Sequence, residues 1–268
     1  MSVLVFDLET VPDVAGLRRA WPELPETSRS WSDEDVVEYV GQKREEATGR
    51  SFLPLHFHRV IAVACLFRRT SEEGEALQLR CLGTSIDDEA RLIRDFFRII
   101  DKYAPQLVSW NGSGFDLPVL HYRSLVHGVT APRYWDQGED DRDYKFNNYI
   151  SRYHHRHTDL MDLLSLYNGR AAAPLDQLAM LCGFPGKQGM SGARVWTAYC
   201  EGKIDDIRHY CLTDVMNTWL VWCRFQRFRG LQSESVYQQE LDLAKQLIRA
   251  QEDERWLQFL QAWEGHSL

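Results

Sequence analysis

Carboxylates in three short stretches of the sequence have the types and spacing for metal chemistry: Asp7 with Glu9, then Asp116, then Asp214. Asp7 and Glu9 follow an apolar run and lie two residues apart, so a strand places both side chains on one face. Two neighbouring carboxylates repel each other unless a cation neutralises them. The pair therefore suits a divalent cation, although a solvated strand end would also account for it.

The other two carboxylates each have a simpler alternative role. Asp116 follows a turn, Asn111–Gly114, where it lies either at the edge of a sheet or as the N-cap of a helix. Asp214 lies four residues after Tyr210, a spacing that puts both side chains on one helical face. Its neighbours are apolar, and a carboxylate near the buried side of a helix needs a partner. A hydrogen-bonded surface Asp is the alternative.

The elements that must position these residues follow from periodicity and turn residues. Apolar runs and alternation predict strands at 3–6, 60–67, 77–82 and 106–110, with the second and third forming a hairpin around the polar turn 71–75. Helical spacing predicts helices at 33–46, 86–103, 116–127, 175–182 and 205–227, and a helical region at 234–264. A mixed sheet with helices packed on it follows from this order.

Two segments lack a clear period. The stretch 130–157 is polar, aromatic and charged, and we expect a long surface excursion there. The glycine-rich segment 183–194 predicts a loop.

Composition is that of a globular chain rather than a disordered one. The 268 residues are 44% hydrophobic and 26% charged, with a formal net charge of −8, which disfavours a non-enzymatic protein that holds nucleic acid by basic residues. The six cysteines form no C-x-x-C pair, so we expect buried reduced thiols and no zinc knuckle. No targeting sequence or membrane span is evident, and we expect a cytoplasmic protein.

Together, three motifs are far more specific than any one of them: FDLETVPD at 6–13, WNGSGFDLPVL at 110–120 and YCLTDV at 210–215. In these motifs the chain resembles the DEDD exonuclease superfamily. It is most similar to stand-alone predicted exonucleases related to the proofreading domain of family-B DNA polymerases. The resemblance implies an α/β, ribonuclease-H-like mixed sheet flanked by helices over 1–228. Residues 229–268 are expected to form a helical C-terminal extension packed on or beside it.

The resemblance also implies an activity and its cofactor. Asp7, Glu9, Asp116 and Asp214 would hold two Mg²⁺ ions, with Mn²⁺ as a substitute, around the scissile phosphate. The expected reaction is 3′→5′ hydrolysis of single-stranded nucleic acid, DNA rather than RNA, with release of nucleoside 5′-monophosphates. The expected partners are single-stranded 3′ ends and no membrane; a repair or polymerase partner is not identified, and DNA repair is the default pathway.

Two neighbouring residues, His209 and Tyr210, are candidates for the catalytic residue that precedes Asp214. The superfamily has a Tyr class, Y-x-x-x-D, and a His class, H-x-x-x-x-D, and His209-Tyr210 before Asp214 fits both patterns. Position i−4 shares a helical face with Asp214 better than i−5 does, so we favour Tyr210. A Tyr with a pKa near 10 is a poor base at neutral pH, so its expected role is to orient water or phosphate.

Five further residues are candidates for substrate binding. Asn111 and Phe115 match the second motif of the family, where Asn111 would position the substrate or a ligand and Phe115 would pack beside a terminal base, although Phe115 is equally suited to the core. Leu8 lies between the two carboxylates, and its backbone would contact the terminal nucleotide. Lys187 and Arg194 flank the glycine-rich loop and are candidate phosphate contacts, or else solvated loop charges.

Three other functions are weighed against the exonuclease. A catalytically inactive relative that binds nucleic acid or protein would have lost a ligand, and all four carboxylates are present. Another magnesium phosphotransferase or phosphohydrolase would need different second and third motifs. A polymerase fragment is disfavoured because the chain has no room for a polymerase domain.

Overall fold

The computed structural model describes residues 2–71, 74–83, 88–187 and 189–265. Within these residues five strands form one mixed sheet, in the order β3-β2-β1-β4-β5. The strands are β1 (Val3–Pro12), β2 (His58–Ser71), β3 (Gly74–Cys81), β4 (Gln106–Ser109) and β5 (His157–Asp159). β1 and β3 pair antiparallel to β2, whereas β4 pairs parallel to both β1 and β5. The predicted hairpin is therefore present, and part of its predicted turn lies outside the described residues.

The helices lie between and after the strands. Those before β4 are α1 (Val14–Ala20), α2 (Asp33–Thr48) and α3 (Glu89–Tyr103). Those that follow it are α4 (Asp116–His127), α5 (Pro132–Trp135), α6 (Leu160–Leu164), α7 (Leu175–Leu181), α8 (Val195–Cys200), α9 (Ile204–Phe228), α10 (Glu234–Arg249) and α11 (Glu254–Gly265). The predicted 234–264 region is thus two helices, and the described part of the 86–103 helix begins at Glu89. The predicted loop 183–194 includes a short 3-10 turn, Gly192–Arg194.

Alternation along β1 assigns its side chains to two hydrophobic clusters. Leu4, Phe6 and Leu8 pack with α3 and α4 on one face of the sheet. Val5 packs on the other face with α9, α10 and α11. Because successive strand residues point to opposite faces, Asp7 belongs to the face covered by α9. The helix that carries Asp214 therefore packs over the face that carries Asp7.

The first strand is longer than its apolar run indicated. The predicted strand 3–6 ends before the carboxylates, whereas β1 continues through Pro12 and pairs with β2 over its whole length. Its parallel pairing with β4 covers only Val3 to Val5. Asp7 and Glu9 therefore lie within a strand, beyond the point where β4 covers its edge. Period-two placement still holds for them, because the register shift comes after Glu9.

The predicted surface excursion at 130–157 is wrong for three of its tyrosine side chains. Tyr134, Tyr144 and Tyr149 are each 2% exposed or less and belong to the hydrophobic cluster around α3. The Tyr134 and Tyr149 rings stack at 5.6 Å, and the Tyr149 hydroxyl donates to the Pro105 carbonyl at 2.7 Å. The segment is irregular in backbone but contributes to the core. Irregular spacing of its tyrosines hides this role from a periodicity argument.

The C-terminal helices share their hydrophobic cluster with α9 and the sheet. Tyr237 of α10 and Trp256 of α11 are 1% and 3% exposed. A buried ion pair also joins α10 to the sheet, because Arg68 on β2 donates to Glu240 with a shortest distance of 2.6 Å. The division at 228/229 into a domain and an extension stays a prediction.

The structure can be compared with the expectations for the cysteines and for membrane spans. Cys65, Cys211 and Cys223 are buried as expected, but the expectation of buried thiols is wrong for Cys200, which is exposed. Across the described ranges, no helix is both long enough and apolar enough to cross a membrane.

Candidate active site

The four candidate carboxylates meet at the end of the sheet where β1 extends past β4. Asp7, Glu9, Asp116 and Asp214 all line one cavity of about 450 Å³. β1 supplies the first two, α4 supplies Asp116 at its first residue, and α9 supplies Asp214. The backbone amide of Leu8 donates to Asp116 Oδ1 at 3.0 Å, which ties α4 to β1. Asp7 and Asp214, which are 207 positions apart in the sequence, thus line the same cavity.

Burial and mutual repulsion make ionisation of the four carboxylates energetically unfavourable. Burial raises the pKa of Asp7 and of Glu9 well above the ordinary values, and the charges of neighbouring carboxylates raise both further. Burial also raises the pKa of Asp116 to about 7 and the pKa of Asp214 to about 6. A positive charge in the cavity would reverse this cost, because an opposite charge favours the ionised carboxylates.

The donor atoms fit a hard divalent cation. Asp214 lines the cavity, and its Oδ1 is buried with no hydrogen-bond partner among the described residues, so this oxygen is available to a ligand. Ligand atoms of Asp7, Glu9 and Cys211 lie within 4.8 Å of one another. Burial raises the pKa of Cys211 well above its ordinary value, and its thiol donates weakly to Asp7 Oδ2 at 3.5 Å. The available ligands are therefore carboxylate oxygens, which suit Mg²⁺ or Mn²⁺ rather than a thiophilic metal.

Tyr210 and His209 face different surroundings. Tyr210 lines the carboxylate cavity, and its hydroxyl interacts with Asp214. Burial raises the pKa of Tyr210 far above its ordinary value and the Asp214 charge adds to this, so the phenol stays protonated and acts as a donor. His209 instead contacts the Trp256 ring at 4.8 Å and lies 3.6 Å from Asp253 Oδ2. Its ring faces the C-terminal helices.

The turn before Asp116 is shaped by Asp159, in the sequence HTDLMDLL, for which we predict a role in fixing the fold rather than in ligating a metal. Asp159, at the end of β5, accepts hydrogen bonds from the amides of Asn111 at 2.9 Å and Ser113 at 2.8 Å. Asn111 has a left-handed φ of 65°, and a Cβ on Gly114 would lie 2.5 Å from Asn111 Oδ1. Asp159 therefore fixes the backbone that presents Asn111 to the cavity.

The three nucleotide-contact candidates near β1 and α4 are placed differently. Leu8, Asn111 and Phe115 all line the cavity. The Phe115 ring also packs edge-on against His58 at 5.4 Å, so it is partly a core residue. The Leu8 side chain is 4% exposed and packs in the α3 cluster, while its amide is used by Asp116. The Leu8 amide therefore positions a carboxylate, and a contact between the Leu8 backbone and a nucleotide stays a prediction.

The two basic candidates, Lys187 and Arg194, line different cavities. Lys187 lines the carboxylate cavity, with its ammonium 5.8 Å from the centre of the Tyr210 ring. Against the rise that burial causes, Lys187 lowers the pKa of both Glu9 and Asp214. Arg194 lines a neighbouring cavity of about 570 Å³, which shares Tyr210 with the first. The structure therefore brings Lys187, but not Arg194, to the carboxylates.

A fifth carboxylate lines the same cavity and was not selected from the sequence. Asp176 lies in the first turn of α7. Burial raises the pKa of Asp214, and the charge of Asp176 adds to that rise. In the sequence, an acidic residue just after Pro174 looks like ordinary first-turn chemistry at a helix N-terminus. Only the long-range packing of α7 against α9 brings it to the site.

Comparison with known proteins agrees with this geometry. Residues 50–263 match the model of a family described as predicted 3′–5′ exonucleases related to the exonuclease domain of PolB. The match covers about four-fifths of the chain, so the chain belongs to this family. The mixed sheet flanked by helices is accordingly a ribonuclease-H-like exonuclease fold. Asp7 and Glu9 lie before the matched range, whereas Asp116 and Asp214 lie within it. No curated protein is a significant match.

Proposed function

We propose that this protein is a metal-dependent 3′→5′ exonuclease of the Tyr class. It hydrolyses phosphodiester bonds at the 3′ ends of single strands, DNA rather than RNA, and releases nucleoside 5′-monophosphates. The observation that carries the proposal is the convergence of Asp7, Glu9, Asp116 and Asp214 on one cavity in a chain of this family. Asp7 and Glu9 lie outside the matched range, so they are supported by that geometry and by the motif FDLETVPD at 6–13.

The carboxylates would hold two Mg²⁺ ions, for which Mn²⁺ would substitute. Bound there, the ions would supply the charge that activates the attacking water and stabilises the leaving 3′ oxygen. The orphaned oxygen of Asp214 and the raised pKa values of the four carboxylates support a cation site. Asp176 is close enough to Asp214 to influence its charge and completes the acidic wall.

The remaining residues bind and orient the substrate. The protonated Tyr210 hydroxyl donates a hydrogen bond and so positions the water or the phosphate, while Lys187 adds positive charge at the rim for a phosphate oxygen. Asn111 and Phe115 line the cavity where a terminal nucleotide would lie. Selection of DNA over RNA follows from the likeness to a DNA polymerase domain.

The decisive test is nucleotide release from 3′-labelled and 5′-labelled single-stranded DNA and RNA, with Mg²⁺, Mn²⁺ or EDTA. We expect metal-dependent shortening from the 3′ end that Asp7→Ala abolishes. Asp242→Ala is the matched control, since Asp242 is an exposed carboxylate on α10. Absence of cleavage with either metal would leave the protein as an exonuclease fold retained for binding.

The Tyr class is tested by a pair of variants. Tyr210→Phe removes only the hydroxyl and should lower kcat by roughly 100-fold, the scale expected when a reacting group is mispositioned. His209→Ala should leave kcat unchanged and lower the melting temperature, because His209 packs against Trp256. The opposite pattern of kcat changes would assign the enzyme to the His class.

A further inference from the structure

The carboxylate cavity continues into two further depressions. Trp110, Met161 and Ala173 line both this cavity and an apolar pocket of about 310 Å³. Phe225 and Phe228 line both that pocket and a groove of about 540 Å³. Shared walls make the three depressions one path that leads away from the carboxylates. We call its far end the aromatic groove, lined by Arg152, Tyr153, Tyr167, Phe228 and Arg229.

Large rings are exposed along the aromatic groove. Phe228 is 82% exposed, Tyr153 is 78% exposed and Tyr167 is 40% exposed. The Tyr153 and Tyr167 rings meet at 6.2 Å, and the Arg152 guanidinium lies 4.6 Å from the centre of the Tyr167 ring. Exposed rings that cluster beside a site mark an interaction surface better than isolated exposed residues do.

The groove presents two guanidinium groups although the chain as a whole is acidic. Arg229 is exposed, and none of the ion pairs found between described residues uses it. Arg152 pairs with Asp162 at 3.5 Å in an exposed position, where a phosphate can replace the carboxylate at little cost. The other carboxylate of the groove, Asp159, is occupied by backbone amides. Two guanidinium groups are therefore available to an anionic ligand.

The backbone beside the aromatic groove has an unusual conformation at two exposed residues. Leu166 and Tyr167 are consecutive non-glycine residues in the left-handed region, with φ of 52° and 60°. Glycine or asparagine normally occupies such positions after a helix, yet here the turn carries Leu166 at 83% exposure and Tyr167. The turn is held by the Tyr167 amide, which donates to the Asp162 carbonyl at 2.7 Å. Backbone strain of this kind concentrates at functional sites.

We propose that the aromatic groove binds the single strand upstream of the nucleotide held at the carboxylates. Bases stack on Tyr153, Tyr167 and Phe228, and phosphates pair with Arg152 and Arg229, the combination by which single strands are held without sequence preference. The proposal rests on the proposed function, which places the 3′ end in the connected cavity. The rings alone would also suit a protein partner; continuity with the cavity and the two available guanidinium groups favour a nucleic-acid strand.

The test compares a long substrate with one that fills only the carboxylate cavity. The long substrate is an oligothymidylate of about twelve nucleotides, within the span of known single-strand sites. The short one is the p-nitrophenyl ester of thymidine 5′-monophosphate. In the double variant Tyr153→Ala/Phe228→Ala, we expect KM for the long substrate to rise about tenfold for each ring removed, while hydrolysis of the ester is unchanged. Unchanged ester hydrolysis also shows that the variant is folded.

Two further variants sharpen the result. Phe146→Ala is the matched control, because Phe146 is 78% exposed but lines neither the groove nor the carboxylate cavity, and its KM should not move. Arg229→Ala should make the plot of log KM against log salt shallower by about 0.7, the loss of one phosphate contact.

The other outcomes overturn the proposal. Unchanged KM for the long substrate in the double variant would exclude the strand path and assign the exposed rings to a protein partner. Equal losses for both substrates would show an effect on the site or the fold instead. If the wild type cleaves neither substrate, the proposed function fails, and binding of a fluorescent oligothymidylate then decides about the groove. Weaker binding by the double variant would support the groove, and equal binding would refute it.

Discussion

The clustered carboxylates should make the metal-free protein less stable as pH rises, and Asp214→Asn should relieve part of that loss. Burial raises the pKa of Asp214 from 3.8 to about 6. Between about pH 4 and pH 6 the folded state thus binds more protons than the unfolded state, so higher pH favours unfolding. Asp116, with a pKa raised to about 7, extends the window upward. The amide introduced by Asp214→Asn carries no charge at any pH and so would not contribute to this loss.

The magnitude follows from the size of the shift. A rise of about two pKa units corresponds to about 3 kcal/mol of lost stability at pH 8, and to about half of that at pH 5. For a protein of this size, each kcal/mol changes the melting temperature by about 2–4 °C. We therefore expect Asp214→Asn to melt roughly 6–12 °C above the wild type at pH 8 in EDTA, with a gap about half as large at pH 5.

Differential scanning calorimetry in EDTA at both pH values is the measurement. Asp242→Asn, which alters an exposed carboxylate on α10, is the control and should match the wild type at each pH. A variant that melts below the wild type at pH 8 would refute the reasoning. So would a gap that does not change with pH, since it would come from packing rather than charge.

Three further outcomes follow from contacts described above. Mg²⁺ at about 100 times its Kd should stabilise the wild type by about 2.7 kcal/mol at pH 8 and raise its melting temperature, and Asp214→Asn should lose most of this gain; an equal gain would place the ion elsewhere. Glu240→Gln should cost about 3–5 kcal/mol in urea unfolding, because it breaks the buried pair with Arg68; a cost below about 1 kcal/mol would contradict a buried pair. Gly112→Ala should cost about 1–3 kcal/mol, because its Cβ would lie 2.3 Å from Ser109 Oγ, and an unchanged melting temperature would show that Ser109 moves freely.

Local signals in the sequence predicted much of the fold. Helix α4 has the predicted bounds, and α2 begins at the predicted Asp33 with Ser32 as its cap. The mixed sheet and the family are confirmed. These features depend on periodicity, turn residues and short motifs, all of which are readable within a few neighbouring residues.

The rest depends on long-range packing that no local pattern encodes. The segment at 130–157 is polar on average, yet three of its tyrosines, at irregular spacing, are buried in the core. Asp159 is predicted to fix the fold, but only the approach of β5 to the 111–113 turn shows which backbone it holds. Asp176 looks like an ordinary helix-start residue, and only the packing of α7 against α9 brings it to the cavity. Arg194 shows the converse, because proximity to a glycine-rich loop does not bring it to the carboxylates.

The position of β1 has a consequence for the order of events during synthesis. β1 precedes the other strands in the chain, yet it is the middle strand of the sheet, and β4, which pairs with its second edge, begins only at residue 106. Asp214 arrives later still, on a helix that lies over the completed sheet. A nascent chain therefore lacks a full carboxylate set until nearly the whole fold can form.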